Sequence, residues 1–188
     1  MPYVAYSLLV GFDLFLRTHE LTSLKVGMFT MADCGSSCVL SLLGGTKTSS
    51  RKVASTEALV IRDPLVLSLI RRLLAPSRGL LAGDMAAGVS PGQFVRYFGK
   101  AVSFLKLEDF NVRPYSIRRG GATQHFRLNG NMAATVVRGR WASARSARIY
   151  IEDGLACLAQ LQLSSSQAAD FKILREFFLR HCKQLREV

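Results

Sequence analysis

Between Arg113 and Arg148 the chain carries eight arginines (Arg113, Arg118, Arg119, Arg127, Arg138, Arg140, Arg145, Arg148) and no lysine, aspartate or glutamate. A solvated protein face ordinarily mixes lysine with glutamate. Arginine's rigid fork of donors instead suits two-pronged contact with phosphate. The whole chain leans the same way: 25 Lys+Arg against 13 Asp+Glu, a formal charge of +12 and a pI near 10.1. Such an excess points to polyanionic partners, nucleic acid ahead of an anionic membrane.

At 188 residues the chain fits one ordinary domain with enough length to bury a core, and its composition, 49% apolar and 20% charged, is globular. The four cysteines form neither a metal nor a disulfide framework. Cys34 and Cys38 are spaced C-x3-C, and no His or second Cys pair with ligand spacing accompanies them. Reduced thiols in an intracellular protein, with no metal, are the expectation. The apolar opening YVAYSLLVGFDLFL is too short to span a bilayer, contains Asp13 and lacks the flanks of a signal peptide, so it reads as a buried helix.

Helical patterns cover residues 3–16 and 18–26, with Thr18 as the N-cap of the second. Three β-branched and apolar runs follow at 27–33, 38–45 and 51–61, separated by CGSS and TKTSS turn chemistry. They predict a small three-stranded antiparallel sheet with Lys47 at its second turn. Asp63 and Pro64 then cap and open a helix over 63–74, and a Gly/Pro/Ser-rich loop occupies 76–91. Further helices are expected at 92–107, 116–129, 131–138, 145–152 and 166–186. The fold class is therefore mainly α with a small antiparallel sheet, an α+β arrangement.

Taken in order, the polar residues resemble the catalytic domain of the tyrosine recombinase (phage integrase) family. That family places an acidic residue three positions after an arginine, then a lysine in a β-turn. H-x-x-R-x-G follows, then a His or Trp, and a nucleophilic Tyr nine residues beyond. Here LRTHEL supplies Arg17 and Glu20, GGTKTSS supplies Lys47, and YSIRRGGAT supplies Tyr115 and Arg118. GRW supplies Trp141, 23 residues after Arg118, and ARIYIED supplies Tyr150, nine residues later. The resemblance spans about residues 8–156. Tyr115 stands where the family usually has His, and a phenol with an ordinary pKa near 10 is a poor base at neutral pH.

The resemblance implies DNA cutting and rejoining through a 3′-phosphotyrosyl intermediate, without metal or other cofactor. Attack on a phosphodiester builds negative charge on its non-bridging oxygens, which fixed positive donors can meet. The implied roles are Arg17 and Arg118 gripping the phosphate, Tyr150 attacking it, and Lys47 protonating the departing 5′-oxygen. Trp141 would donate its indole N–H, and Glu20 would hold its neighbours. Lys52 is the runner-up for Lys47. Arg118 is expected near a helix start, with the positive helix end behind it, and Gly120 and Gly121 to allow close packing. Arg113, Arg119, Arg138, Arg140, Arg145 and Arg148 are expected to contact the DNA backbone. His125 reads as structural.

Residues 1–160 are expected to form the catalytic domain. Residues 161–188 should add an amphipathic helix with Phe171, Ile173, Leu174, Phe177, Phe178 and Leu185 on or near one face, packed in cis or on a neighbouring protomer. Partners implied by the family are double-stranded DNA, further copies of the chain on it, and a separate or missing N-terminal DNA-clamping domain. The compartment would be wherever DNA is, nucleus or nucleoid. Two alternatives stand beside a mobile-element integrase: a DNA-binding relic that no longer cuts, and a topoisomerase-type nicking and rejoining enzyme.

Overall fold

The computed structural model describes residues 2–42 and 57–184; Lys47, Lys52 and Leu185 lie outside them. Helices α1 (Pro2–Asp13) and α2 (Thr18–Thr22) lead into strands β1 (Phe29–Met31), β2 (Cys38–Leu42) and β3 (Glu57–Ile61). Helices α3 (Pro64–Leu74), α4 (Pro91–Phe104), α5 (Pro114–Asn129), α6 (Met132–Gly139), α7 (Ala144–Gln160) and α8 (Ser165–Gln184) follow. The expected class, mostly helix with one small antiparallel sheet, is the one observed. None of the described helices is long and apolar enough to cross a membrane.

The strands run β1-β2-β3, both pairs antiparallel, with Phe29 opposite Leu40 and Leu40 opposite Leu59. Alternation puts Cys38, Leu40 and Leu42 on one face of β2, where all three are buried. That face closes on Val10 of α1 and Leu14 just after it, Val66, Leu67, Ile70 and Leu73 of α3, and Phe94 of α4. Asp63 starts α3 as its residue type demands: its Oδ1 accepts the N–H groups of Leu65 and Val66, both at 2.9 Å, and Pro64 fills the first helical position.

Several boundaries differ from expectation. Helix α2 lasts one turn, not the nine residues 18–26, because Val26–Met28 tightens into a 3-10 turn and Lys25 bridges to Met85. Its N-cap is Arg17, not Thr18, since Glu20 Oε2 accepts the Arg17 backbone N–H at 2.8 Å. Helix α7 runs on to Gln160 rather than stopping near 152. Helix α5 begins at Pro114, with the Arg113 N–H donated to Ser116 Oγ at 3.1 Å, so Arg118 sits in the second turn. The helix dipole acts mainly through the first turn, and Arg118 is past it.

Two glycines let α5 lie against its neighbours. A Cβ on Gly121 would stand 2.1 Å from the Phe12 carbonyl oxygen, and one on Gly154 of α7 would stand 1.9 Å from Thr123 Oγ1. At Gly120 a Cβ would meet only the Phe12 ring edge, at 3.2 Å. Alanine ordinarily stabilises a helix interior by roughly 0.5–1 kcal/mol over glycine. We expect Gly121→Ala to reverse that sign and cost about 1–3 kcal/mol, because backbone atoms must move. Gly120→Ala should stay near neutral, since a ring can rotate. Urea unfolding of the two variants measures the contrast, and equal effects would remove close packing as the reason for Gly121.

Candidate active site

Four helices converge on the guanidinium of Arg118. Its residue is 1% exposed, and its Nη1 donates to the carbonyl of Phe15, just past α1. Its Nη2 donates to the carbonyl of Gly139, at the end of α6, at 2.8 Å. The guanidinium carbon lies 4.8 Å from the centroid of the Trp141 ring and 5.6 Å from that of Tyr150 on α7. No carboxylate hydrogen-bonds to it, and Nε has no partner among the described residues. Burial and the neighbouring charges of Arg17 and Arg140 weaken its hold on its proton relative to an ordinary arginine. A cationic centre in this state is stabilised by any anion that approaches it.

Trp141 and Tyr150 lie over that charge, their rings tilted 48° to each other with centroids 5.0 Å apart. A Cβ on Gly139 would fall 1.9 Å from the indole, so glycine there lets Trp141 fold back over the end of α6. Tyr115, in the first turn of α5 and 47% exposed, lies 5.8 Å from Tyr150, centroid to centroid. Burial of its ring, a hydrogen bond with Tyr150 and that neighbour's developing charge push the Tyr115 phenol up to about 12. At neutral pH Tyr115 is therefore a hydrogen-bonding phenol and not a base.

Glu20 organises the other side. Its carboxylate, 6% exposed as a residue, takes Arg17 Nη1 at 2.8 Å, and Arg140 approaches through Nη1 at 3.1 Å and Nη2 at 2.8 Å. Arg140 also reaches Glu57 Oε2 at the start of β3, at 2.8 Å. Burial alone would raise the Glu20 pKa, but the bonds and charge of Arg140 and then Arg17 outweigh it and bring it down to about 2. Arg140 shifts upward in turn: burial opposes its charge, and Glu20 and Glu57 more than offset that.

The structure thus brings Arg17, Glu20, Tyr115, Arg118, Trp141 and Tyr150 together, while Lys47 falls outside the described residues. Two arginines expected to face phosphate are instead committed inside the fold. Arg138 bonds Asp13 through Nε to its carbonyl at 2.7 Å and Nη2 to its carboxylate at 2.5 Å, and Arg140 serves Glu20 and Glu57. The reason is desolvation: a half-buried guanidinium needs acceptors, and these carboxylates are the nearest. Arg113, Arg145 and Arg148 remain exposed, with Arg148 only 3.8 Å from Glu152 in a solvent-screened pair. Arg119 is half-buried beside Gly120. His125 packs edge-on to Phe15 and hydrogen-bonds Thr135 Oγ1 at 2.9 Å. No cluster of three or more His, Cys, Asp or Glu among the described residues could hold a metal.

The Glu20 carboxylate contributes stability that is present above its ordinary pKa of 4.5 and lost as pH falls toward its folded value of about 2. We expect wild-type stability to drop by about 3 kcal/mol, at most, across that window, and the Glu20→Gln variant to lose most of that slope. At pH 7 Glu20→Gln should cost about 2–3 kcal/mol, since two guanidiniums lose their shared anion. Urea unfolding between pH 2.5 and 7 reads both, and a variant with the wild-type slope would contradict the assignment.

No protein-family model matches the chain, and no curated protein matches its sequence. Solved structures do. The XerH site-specific recombinase bound to difH substrate, in a pre-cleavage complex, superposes with a TM-score of 0.60 at 15% identity, covering 78% of this chain and 42% of that one. The post-cleavage complex of XerH with palindromic difH substrate gives 0.62 at 14% identity, covering 84% and 44%. The chain spans less than half the length of these recombinase chains. Identity this low speaks for architecture alone: the chain shares its fold with part of these site-specific recombinase structures.

Proposed function

We propose that residues 1–160 form the catalytic domain of a site-specific recombinase that cuts and rejoins double-stranded DNA through Tyr150, without metal or other cofactor. The observation that carries this reading is the Tyr150 ring lying 5.6 Å from the guanidinium of Arg118, a buried charge with no carboxylate among the described residues bonded to it. A fold shared with XerH, a site-specific recombinase by name, agrees with it.

In the reaction, the Tyr150 phenolic oxygen attacks phosphorus and the bond from phosphorus to the 5′-oxygen breaks. The phenol proton leaves to solvent, and the departing 5′-oxygen takes a proton from Lys47. Strand joining runs the same steps backwards, with a 5′-hydroxyl displacing Tyr150. Arg17, partly open to solvent, meets one non-bridging oxygen. Arg118, buried beneath the rings, supplies positive charge to the phosphate from below. Tyr115 donates a hydrogen bond to the nucleophile or the phosphate. Exposed Arg113, Arg145 and Arg148, with Arg119, meet the DNA backbone, which makes affinity fall steeply with salt. Residues 161–188 are a C-terminal extension whose helix α8 touches α3, leaves Ile173 and Leu174 exposed, and packs in cis or on a neighbouring copy. Mobile-element integration is the biological setting this chemistry suits.

The test is a pool of nicked duplexes of varied sequence, in which a short fragment diffuses away after cleavage and traps the covalent species. Wild-type chain should form a salt-sensitive, denaturation-resistant protein–DNA adduct; Tyr150→Phe should form none, and Arg17→Ala should form it about 10²–10³-fold more slowly. Tyr115→His should keep or raise the rate, and a large loss would give Tyr115 a role of its own. Salt-sensitive binding without adduct would indicate a DNA-binding relic. Supercoil relaxation without strand exchange would indicate a topoisomerase.

A further inference from the structure

Arg140 stands in a backbone conformation that a side chain rarely adopts, φ 55° and ψ 40°, at the C-cap of α6. Helices commonly end with glycine in that left-handed geometry, because any Cβ is strained there. This chain puts Gly139 one residue earlier and an arginine at the strained position. Such a conformation persists only where the surroundings hold it, and here three bonds do. The Arg140 side chain is 9% exposed and spans Glu20 and Glu57.

The pattern of sharing is specific. Each Glu20 oxygen serves both arginines: Oε1 takes Arg17 Nη1 at 2.8 Å and Arg140 Nη1 at 3.1 Å, while Oε2 takes the Arg17 backbone N–H and Arg140 Nη2, both at 2.8 Å. Moving Arg140 therefore releases the carboxylate that orients Arg17. The next residue is Trp141, whose ring lies against Tyr150, so the same fixed backbone also sets the floor under that phenol.

We propose that Arg140 is a positioning residue for strand cleavage: from the left-handed turn before Trp141 it locks Glu20, and through Glu20 it fixes the guanidinium of Arg17. This rests on the recombinase reading above. Four charged groups surround Glu20 or its clamp: Arg17 at its own N-cap, Arg140 from the turn after α6, Arg118 from α5, and Glu57 from β3 on the far side of Arg140. Removing Arg140 leaves the burial of Glu20 opposed chiefly by Arg17, so its carboxyl titrates at higher pH.

Arg140→Gly is the informative variant, since glycine relieves the backbone while deleting only the clamp. Two readouts follow on the full chain: the carbon-13 titration of the Glu20 carboxyl by NMR, and the rate of adduct formation on nicked duplexes between pH 4 and 8. We expect the Glu20 midpoint to move upward and the adduct rate to fall by about tenfold near neutrality. The rate should fall further as pH drops through the new midpoint, where the wild type stays flat with respect to this group. Arg140→Lys, a single ammonium that cannot serve both carboxylates as a fork does, should recover part of the rate and part of the midpoint shift, and it carries the test should the glycine variant not fold. Adding Glu20→Gln to Arg140→Gly should cost little more than Arg140→Gly alone. The inference is overturned by an unmoved Glu20 midpoint, by a wild-type rate and pH profile in Arg140→Gly, or by losses that multiply in the double variant. If wild-type chain forms no adduct, the recombinase reading falls, and the Glu20 midpoint alone then decides whether the clamp exists.

Discussion

A buried guanidinium held by two backbone carbonyls and two aromatic faces, with no carboxylate among the described residues bonded to it, is the constraint around which this structure is arranged. Taking a cation out of water is costly unless donors find acceptors. Arg118 finds them at the carbonyls of Phe15 and Gly139, which ties the segment after α1 to the end of α6. The rings of Trp141 and Tyr150 add quadrupolar attraction from above. The packing of α5 against α1 exists to deliver that side chain, and Gly121 is what makes the approach possible. Because its positive charge is left without a bonded counterion, the same packing that secures the fold also creates an anion-seeking centre under a phenol.

The neighbouring charges divide the labour. Arg17 and Arg140 share Glu20, so one carboxylate neutralises part of the local repulsion and orients both cations. Without it, three arginines would converge in a poorly solvated space, each raising the cost of the others. Arg118 is excluded from direct bonding to that carboxylate and keeps its charge available. One arginine cluster thus contains a structural ion network and a cation bonded, among the described residues, to backbone carbonyls and to no carboxylate.

Much of this was legible in the chain itself. Asp63–Pro64 announced the start of α3 because cap and first-turn chemistry are local, and the alternation of Cys38, Leu40 and Leu42 announced a half-buried strand for the same reason. The order of Arg17, Glu20, Lys47, Tyr115, Arg118, Trp141 and Tyr150 pointed to one site, and all of them but Lys47, which lies outside the described residues, stand together in the structure. What sequence could not provide was the destination of each charge. Arg138 and Arg140 looked like phosphate contacts because their partners, Asp13 and Glu20, lie 125 and 120 residues away in the chain. The left-handed turn at Arg140 also left no trace in composition, since glycine is its usual mark and here stands one residue early. The second half of α7 went unread although Ile151, Leu155 and Leu158 recur at helical spacing; Leu155 and Leu158 stay exposed, so no packing against the core announces the helix there.

The claim beneath the whole account is that Tyr150 is the phenol that attacks phosphorus at this cationic site and its neighbour Tyr115 is not. Nuclease digestion of a trapped protein–DNA complex followed by tryptic mass spectrometry addresses it directly. The two phenols fall in different peptides, Tyr150 in the one bounded by Arg148 and Lys172. The account predicts a nucleotide 3′-phosphate on that peptide, at its one tyrosine. The same mass on the peptide carrying Tyr115, or on a serine, would contradict it.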